Sequence, residues 1–154
     1  MGITRFSGPV YAGTVKETSG TTLGLDVENT GQVVLEQEVN ILQIAGLITT
    51  NMILPAGATL LSMKMFITTA WNGAATTFNI GTTPSPANEL ALVAQGSAIG
   101  LLDITPGTSA TRVAAWIDSS APDRRIYVQS ANAGAGVGRL VMQYAQVSDN
   151  AGYA

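Results

Sequence analysis

The most constraining feature of the sequence is a run of alternating side chains at residues 61–71. One set of alternate positions is mostly apolar and consists of Leu61, Met63, Met65, Ile67, Thr69 and Trp71. The positions between them are Ser62, Lys64, Phe66 and Thr68, with Ala70 last. Because successive side chains of a β-strand point to opposite faces, this run predicts a half-buried strand.

The residues after this strand predict a reversal of the chain. Asn72 and Gly73 both tolerate the positive φ of a tight turn. Residues 76–81 then return with Phe78 and Ile80 on one side. We therefore predict a β-hairpin of these two strands, with Trp71 in the core.

The rest of the chain reads as further short strands separated by turn signals. The strand-like runs cover residues 33–44, 48–54, 99–104, 112–117, 125–129 and 139–147. One short helix is expected over residues 86–95, with Ser85 as its cap and Pro86 in its first turn. About eight strands with almost no helix predict an all-β fold, namely a single β-sandwich over residues 33–148. A jelly roll is the preferred topology, but the pattern leaves the strand order open.

The two ends of the sequence differ from this domain. Residues 1–32 are rich in Gly and Thr without a sustained period, and predict an extended N-terminal arm. Residues 149–154 form a polar C-terminal tail. Arginine and aromatic side chains often anchor protein interfaces, so we expect the arm to bind through Arg5, Phe6, Pro9 and Tyr11. Equally, Phe6 and Tyr11 could cover the edge of the domain's own core.

Charge limits the classes of partner. Charged residues make up only 11% of the chain, and the net charge is −3. A weakly charged surface favours association, which predicts a component of an assembly. The basic residues form no stripe, so neither nucleic acid nor a membrane is expected as a partner. No apolar run approaches the ~18 residues that span a bilayer, and no secretory signal is recognisable, so we expect synthesis in the cytoplasm.

The residue types that carry most enzyme chemistry are missing. The chain has no histidine and no cysteine, which removes the commonest general base and every thiolate ligand. Glu36 and Glu38 share one face of a strand, and we interpret them as solvated surface charge. Asp118 and Asp123 flank one loop, where they offer few of the oxygen ligands that calcium requires. We expect no enzyme activity, no cofactor and no metal.

Two other features of the sequence are candidate binding sites. The glycines at 134, 136 and 138 precede a strand, whereas a phosphate-binding loop precedes a helix. We interpret this segment as a hairpin loop. Trp116 lies on the face opposite Val113 and Ile117 of its predicted strand, and is a possible interface residue.

Three stretches resemble proteins of tailed bacteriophages. The opening residues 2–11, GITRFSGPVY, are similar to the start of small phage head proteins. Residues 53–82 and 125–147 resemble β-sandwich proteins from the same setting. The resemblance implies a capsid decoration (cement) protein, which sits on the outside of the virion shell as a trimer and braces the major capsid protein. It brings no catalytic residues.

Two other classes remain open. A phage tail or receptor-binding module would use the same sandwich to hold a glycan, with an exposed Trp116 and the nearby Asp118 as its mark. An enzyme would need a carboxylate pair more convincing than those described above.

Overall fold

The computed structural model describes residues 33–85, 87–119 and 122–146. The predicted arm and tail lie outside the described residues. Within the described ranges the chain forms eight β-strands and one α-helix. In order these are β1 (Val33–Leu42), β2 (Gly46–Leu54), β3 (Ala58–Thr69), β4 (Thr77–Gly81), β5 (Ala91–Gln95), β6 (Gly100–Ile104), α1 (Ala110–Ile117), β7 (Arg124–Ser130) and β8 (Val137–Gln146).

The strands form two four-stranded antiparallel sheets. The first sheet has the order β1-β8-β3-β6, and the second has the order β2-β7-β4-β5. Among the described strands, only β4 and β5 are consecutive in the chain and adjacent in one sheet. Every other connection crosses from one sheet to the other. The prediction of an all-β sandwich is confirmed.

Alternate side chains of both sheets meet in one core. The first sheet contributes Met63, Met65, Leu140 and Met142, and the second contributes Met52, Phe78, Ile80, Ile126 and Val128, all buried. Each such side chain stabilises the fold by about 1.5–3 kcal/mol through removal of apolar surface from water. The predicted inward positions of Phe78 and Ile80 are therefore confirmed.

The predicted hairpin of β3 and β4 is wrong. β3 pairs with β8 and β6 in the first sheet, whereas β4 pairs with β7 and β5 in the second. Residues 70–76 cross between the sheets instead of closing a tight turn. Each strand buries its apolar face in the core whether the other strand lies beside it in the same sheet or opposite it in the second sheet, so alternation alone does not separate these two arrangements.

The alternation of β3 is interrupted at both ends. Its register against β8 shifts between Leu60 and Ser62 and again between Ile67 and Thr69. An inserted residue at each shift moves the pattern by one position, as in a β-bulge. Leu60 is therefore buried, whereas Leu61 is 49% exposed. The predictions that Leu61 and Thr69 face the core are wrong, because Thr69 is exposed as well.

Residues 112–117 are helical rather than extended. The side chain of Ser109 caps α1 by accepting a hydrogen bond from the Arg112 amide, 3.5 Å away. Val113 and Ile117, four residues apart, share the exposed side, while Trp116 packs against the core. A short alanine-rich segment fits both the period of a helix and the period of a strand. The cap and the packing of the helix on β3 therefore decide its conformation.

The helix predicted over residues 86–95 is also wrong, because β5 occupies its second half. Leu90 already donates its amide to the Ile80 carbonyl, 3.0 Å away. Glu89 lies in the connection before β5. Its carboxylate accepts hydrogen bonds from the amides of Thr82 and Thr83, at 3.0 and 3.4 Å, and folds the loop back on itself.

Candidate assembly surfaces

Four connections meet at one end of the sandwich, which we call the loop end. They comprise residues 43–45, 70–76, 96–99 and 131–136. Backbone hydrogen bonds join them pairwise. The Gln43 amide donates to the Gly136 carbonyl, and the Trp71 amide donates to the Gly96 carbonyl, each over 2.8 Å. The loops therefore hold one another rather than projecting separately into solvent.

A buried glutamine organises the loop end. Gln43 is 3% exposed, and its Nε2 donates to the Asn72 carbonyl over 2.7 Å. Its Oε1 accepts from the amides of Asn72 and Gly136, each 3.1 Å away. Asn132 extends the network by accepting from the Ala75 amide at 2.9 Å. One side-chain amide thus satisfies three backbone groups from two loops, which a buried network requires.

The glycines of this end are required by close packing. A Cβ added at Gly136 would overlap the Trp71 indole, and one added at Gly134 would overlap the side chains of Gln43 and Asn72. Trp71 is 2% exposed and lies 4.7 Å from Phe78 between ring centres, so its predicted core position is confirmed. In the glycine-rich loop, the amides of Ala135 and Gly136 donate to the side chains of Asn72 and Gln43, and the Gly134 amide donates to the Gln43 carbonyl.

Among the described residues, the opposite end, the helix end, consists of residues 55–57, 82–85, 87–90, 105–109, α1 and residues 118–119 and 122–123. Ser119 is buried, accepts from the Ala58 amide at 3.0 Å and donates to the Pro55 carbonyl. Asp123 accepts from the Ala56 amide at 2.8 Å. This carboxylate therefore fixes the turn between β2 and β3. Across the described ranges, no three carboxylates gather where they could hold a metal ion.

Trp116 lies on α1 at the helix end. It is half-buried, packs against the core, and donates its indole N–H to the Leu90 carbonyl over 3.0 Å. Part of the ring remains accessible, so its interface role stays a prediction. The predicted anchors Arg5, Phe6, Pro9 and Tyr11 lie outside the described residues.

The outer surface of the first sheet, the charged face, carries five charged side chains among the described residues: Glu36, Glu38, Lys64, Asp103 and Arg139. Each of them forms an ion pair within this set or a hydrogen bond with a neighbouring side chain. Arg139 lies 3.4 Å from Glu38 and stacks over Phe66 at 5.5 Å, and Lys64 lies 3.4 Å from Asp103. Glu36 accepts from Gln143 at 2.8 Å. Glu36 and Glu38, which share one strand face, are therefore surface groups that bind Gln143 and Arg139.

The outer surface of the second sheet, the neutral face, is built differently. Its side chains alternate with the buried ones of β2, β4 and β7, and comprise Leu47, Thr49, Asn51, Ile53, Thr77, Asn79, Tyr127 and Gln129. Arg125 is the charged side chain of this face among the described residues, and its guanidinium donates to the Thr50 carbonyl over 2.6 Å. A partner could cover this face without removing many charges from water.

Sequence reasoning missed the polar residues that close the loop end. Asn72 was recognised only as a turn former, and neither Gln43 nor Asn132 was assigned a role. Their hydrogen bonds join residues 29 and 60 positions apart. Such long-range pairs leave no local period in a single sequence.

Comparison with known proteins identifies the fold but no family. The sequence matches no protein-family model and no curated protein. Two solved structures with similar folds are capsid chains. One is from the capsid of Ralstonia phage GP4, with a TM-score of 0.55 and 20% identity over 74% of this chain and 84% of that chain.

The other is from the acid-stable capsid of Helicobacter pylori bacteriophage KHP30. Its TM-score is 0.50, with 15% identity over 75% of this chain and 90% of that chain. At these identities the similarity shows a shared fold. Separately, no helix in the described ranges is long and apolar enough to cross a membrane.

Proposed function

We propose that this chain is a structural protein of a bacteriophage virion that decorates the outer surface of the capsid. In this role it contacts the major capsid protein and stabilises the contacts between neighbouring capsid subunits. It acts without catalysis, cofactor or nucleic acid. The observation that carries the proposal is the fold, which this chain shares with chains of two phage capsids.

The strand order supports a more specific assignment of the fold. Eight antiparallel strands in the orders 1-8-3-6 and 2-7-4-5 place the first and last strands side by side. Their connections run between the two sheets, except for β4 to β5. We assign this arrangement to the jelly roll, an architecture used in viral capsids.

Charge supports a position outside the shell. The sequence has an isoelectric point of about 4.7, so the protein is acidic at neutral pH. Packaged DNA is a dense array of phosphates, and a surface without a basic stripe gains nothing from counterion release there. Phosphate would also repel an acidic protein inside the shell, and the outer surface lacks this repulsion.

The attachment site in this proposal is the N-terminal arm, through Arg5, Phe6, Pro9 and Tyr11. Ordering a free segment costs ~1–2 kcal/mol per residue, which burial of aromatic rings and arginine hydrogen bonds on the shell can offset. We expect deletion of residues 2–15 to leave the melting temperature unchanged. Attachment to particles that lack the protein should fall at least tenfold, or about 1.4 kcal/mol.

The matched variants refine this test. Arg5→Ala with Phe6→Ala should reproduce most of the loss, whereas Val15→Ala with Lys16→Ala, an equivalent change further along the arm, should retain attachment. Cosedimentation with particles measures the binding, and a cryo-EM difference map locates the protein. Full attachment by the deletion variant would contradict the arm's role. Density on the tail or inside the shell would contradict decoration.

We further propose that copies associate as a trimer through the neutral face. Thr49 is exposed on this face, in β2 at the edge of the sheet, opposite Tyr127 in the strand pairing. Thr49→Glu would bury an unpaired carboxylate in such an interface at a cost of several kcal/mol. We expect monomers of this variant at tens of micromolar by light scattering. Asn40→Glu, an equivalent exposed change on the charged face, should leave the trimer intact. A monomeric wild-type protein would refute self-association.

A further inference from the structure

β1 has an open edge. The strand is ten residues long, and among the described residues its backbone pairs only with β8. On the side facing β2, one side chain spans the gap: Gln37 donates to the Ile53 carbonyl at 2.6 Å and accepts from the Ile53 amide at 2.9 Å. An edge strand of this length offers a row of N–H and C=O groups to another strand.

The side chains at this edge are incompletely covered. Leu35 lies opposite Tyr144 in the pairing of β1 with β8, on the same side of the sheet as that buried tyrosine. Leu35 is nevertheless 38% exposed, and its neighbour Val34 is 60% exposed. Leu35 therefore faces the core side but borders the open edge. An additional strand beside β1 would cover it.

The sequence immediately before β1 has the composition of such a strand. Leu23, Leu25 and Val27 alternate with Gly24 and Asp26. Residues 28–32 follow, with Asn29 and Gly31 as turn formers. Connections of three to five residues that contain glycine commonly join two strands of a β-hairpin.

We propose that the open edge of β1 is the docking site for residues 21–27 of the same chain, which pair with it antiparallel as an additional edge strand. The pairing sets Val27 opposite Val33, Leu25 opposite Leu35, and Leu23 opposite Gln37. The apolar set then faces the core, and Asp26 lies on the outer surface beside Val34. A shift by one residue would turn Asp26 towards Leu35, so the pattern specifies the register.

This docking goes beyond the proposed function and does not depend on it. It closes an edge that would otherwise promote edge-to-edge association of sheets. It also leaves residues 1–20, with the four predicted anchors, tethered beside the charged face.

Because the protein has no cysteine, introduced pairs report the docking without background. Opposed residues of an antiparallel pair have Cβ atoms about 4.5–5.5 Å apart, close enough for a disulfide after small adjustments. We expect Leu25→Cys with Leu35→Cys to form an intramolecular disulfide on mild oxidation. Leu25→Cys with Val34→Cys, whose side chains would lie on opposite faces, should not. The proposal would be overturned by disulfide-linked dimers, by an intramolecular disulfide in the variant with Val34→Cys, or by the absence of a disulfide in both variants.

Hydrogen exchange tests the same docking without a change in the core. In the full chain, β1 amides that point away from β8 should be protected. Deletion of residues 2–28 should speed their exchange at least tenfold, whereas deletion of residues 2–15 should not. Equal exchange in the full chain and the longer deletion would show that the edge is unoccupied and would overturn the proposal.

Discussion

The two ends of the sandwich solve the same problem with different chemistry. Both must satisfy the backbone groups of several connections that no longer lie in a sheet. The loop end does so with a buried amide, Gln43, that joins two other connections at once. The helix end uses separate local contacts, including Ser119 with the turn at Pro55 and Asp123 with Ala56.

The two ends also differ in where the described chain begins and ends. The described strands begin at Val33 and end at Gln146, which pair with each other at the helix end. Val113 and Ile117 of α1 are also exposed there, at 37% and 63%. The loop end is therefore held by one buried network, whereas the described chain begins and ends at the helix end.

The largest expected effect is at Gln43. Gln43→Met keeps most of the side-chain volume but leaves the buried amides of Asn72 and Gly136 without their acceptor, whereas the Asn72 carbonyl keeps the Asn132 side chain as a partner at 3.0 Å. Each unsatisfied buried group costs about 1–3 kcal/mol, so we expect the free energy of unfolding to fall by about 3–5 kcal/mol. Denaturant unfolding at fixed protein concentration measures this change.

The matched control is Gln143→Met on the charged face. Gln143 makes an exposed hydrogen bond to Glu36, so its loss should cost well under about 1 kcal/mol. Equal losses for the two variants would mean that the Gln43 network contributes no more than a surface contact, which would remove the distinction between the two ends.

A smaller effect is expected at the helix end. Ser119→Ala removes a buried acceptor for the Ala58 amide, but this amide also lies 3.2 Å from the Pro55 carbonyl. One partner therefore remains, and we expect a loss of about 1–2 kcal/mol. Thr59→Val, which removes an exposed hydrogen bond to the Ile117 carbonyl, is the control and should cost less. If Ser119→Ala lowered the free energy of unfolding as much as Gln43→Met, the contacts at the helix end would not be local and independent of one another.

The sequence predicted the class of fold because alternation is a local property. The strand at residues 76–81, for example, was predicted with Phe78 and Ile80 inward, and both are buried in β4. Which strands pair is a long-range property. The error over β3 and β4 arose because a strand's apolar face is equally consistent with a neighbour beside it or across the core.

The candidate surfaces were less predictable for related reasons. The low charge of the chain indicated an assembly component, but not that charge would concentrate on one sheet. That separation depends on strand order, which places β1, β8, β3 and β6 side by side. Trp116 was assigned to a strand because residues 112–117 fit two periods equally. Its packing on the core became visible only with the helix in place.

The smallest expected effect tests whether the helix of the helix end is held by its cap or by packing. The Ser109 hydroxyl accepts from the Arg112 amide at 3.5 Å, a long hydrogen bond, and the first turn of α1 has no acidic residue. Ser109→Ala should therefore lower stability by only about 0.5–1 kcal/mol, near the bottom of the range for N-caps. Ser109→Asp should match or exceed the wild type, because a carboxylate also interacts favourably with the helix dipole. Thermal unfolding at fixed protein concentration measures both, and a shift of about 2–4 °C per kcal/mol is expected for a chain of this size. If Ser109→Ala cost as much as Gln43→Met, the cap rather than the contacts of Trp116 and Ala115 with the core would hold α1 in place.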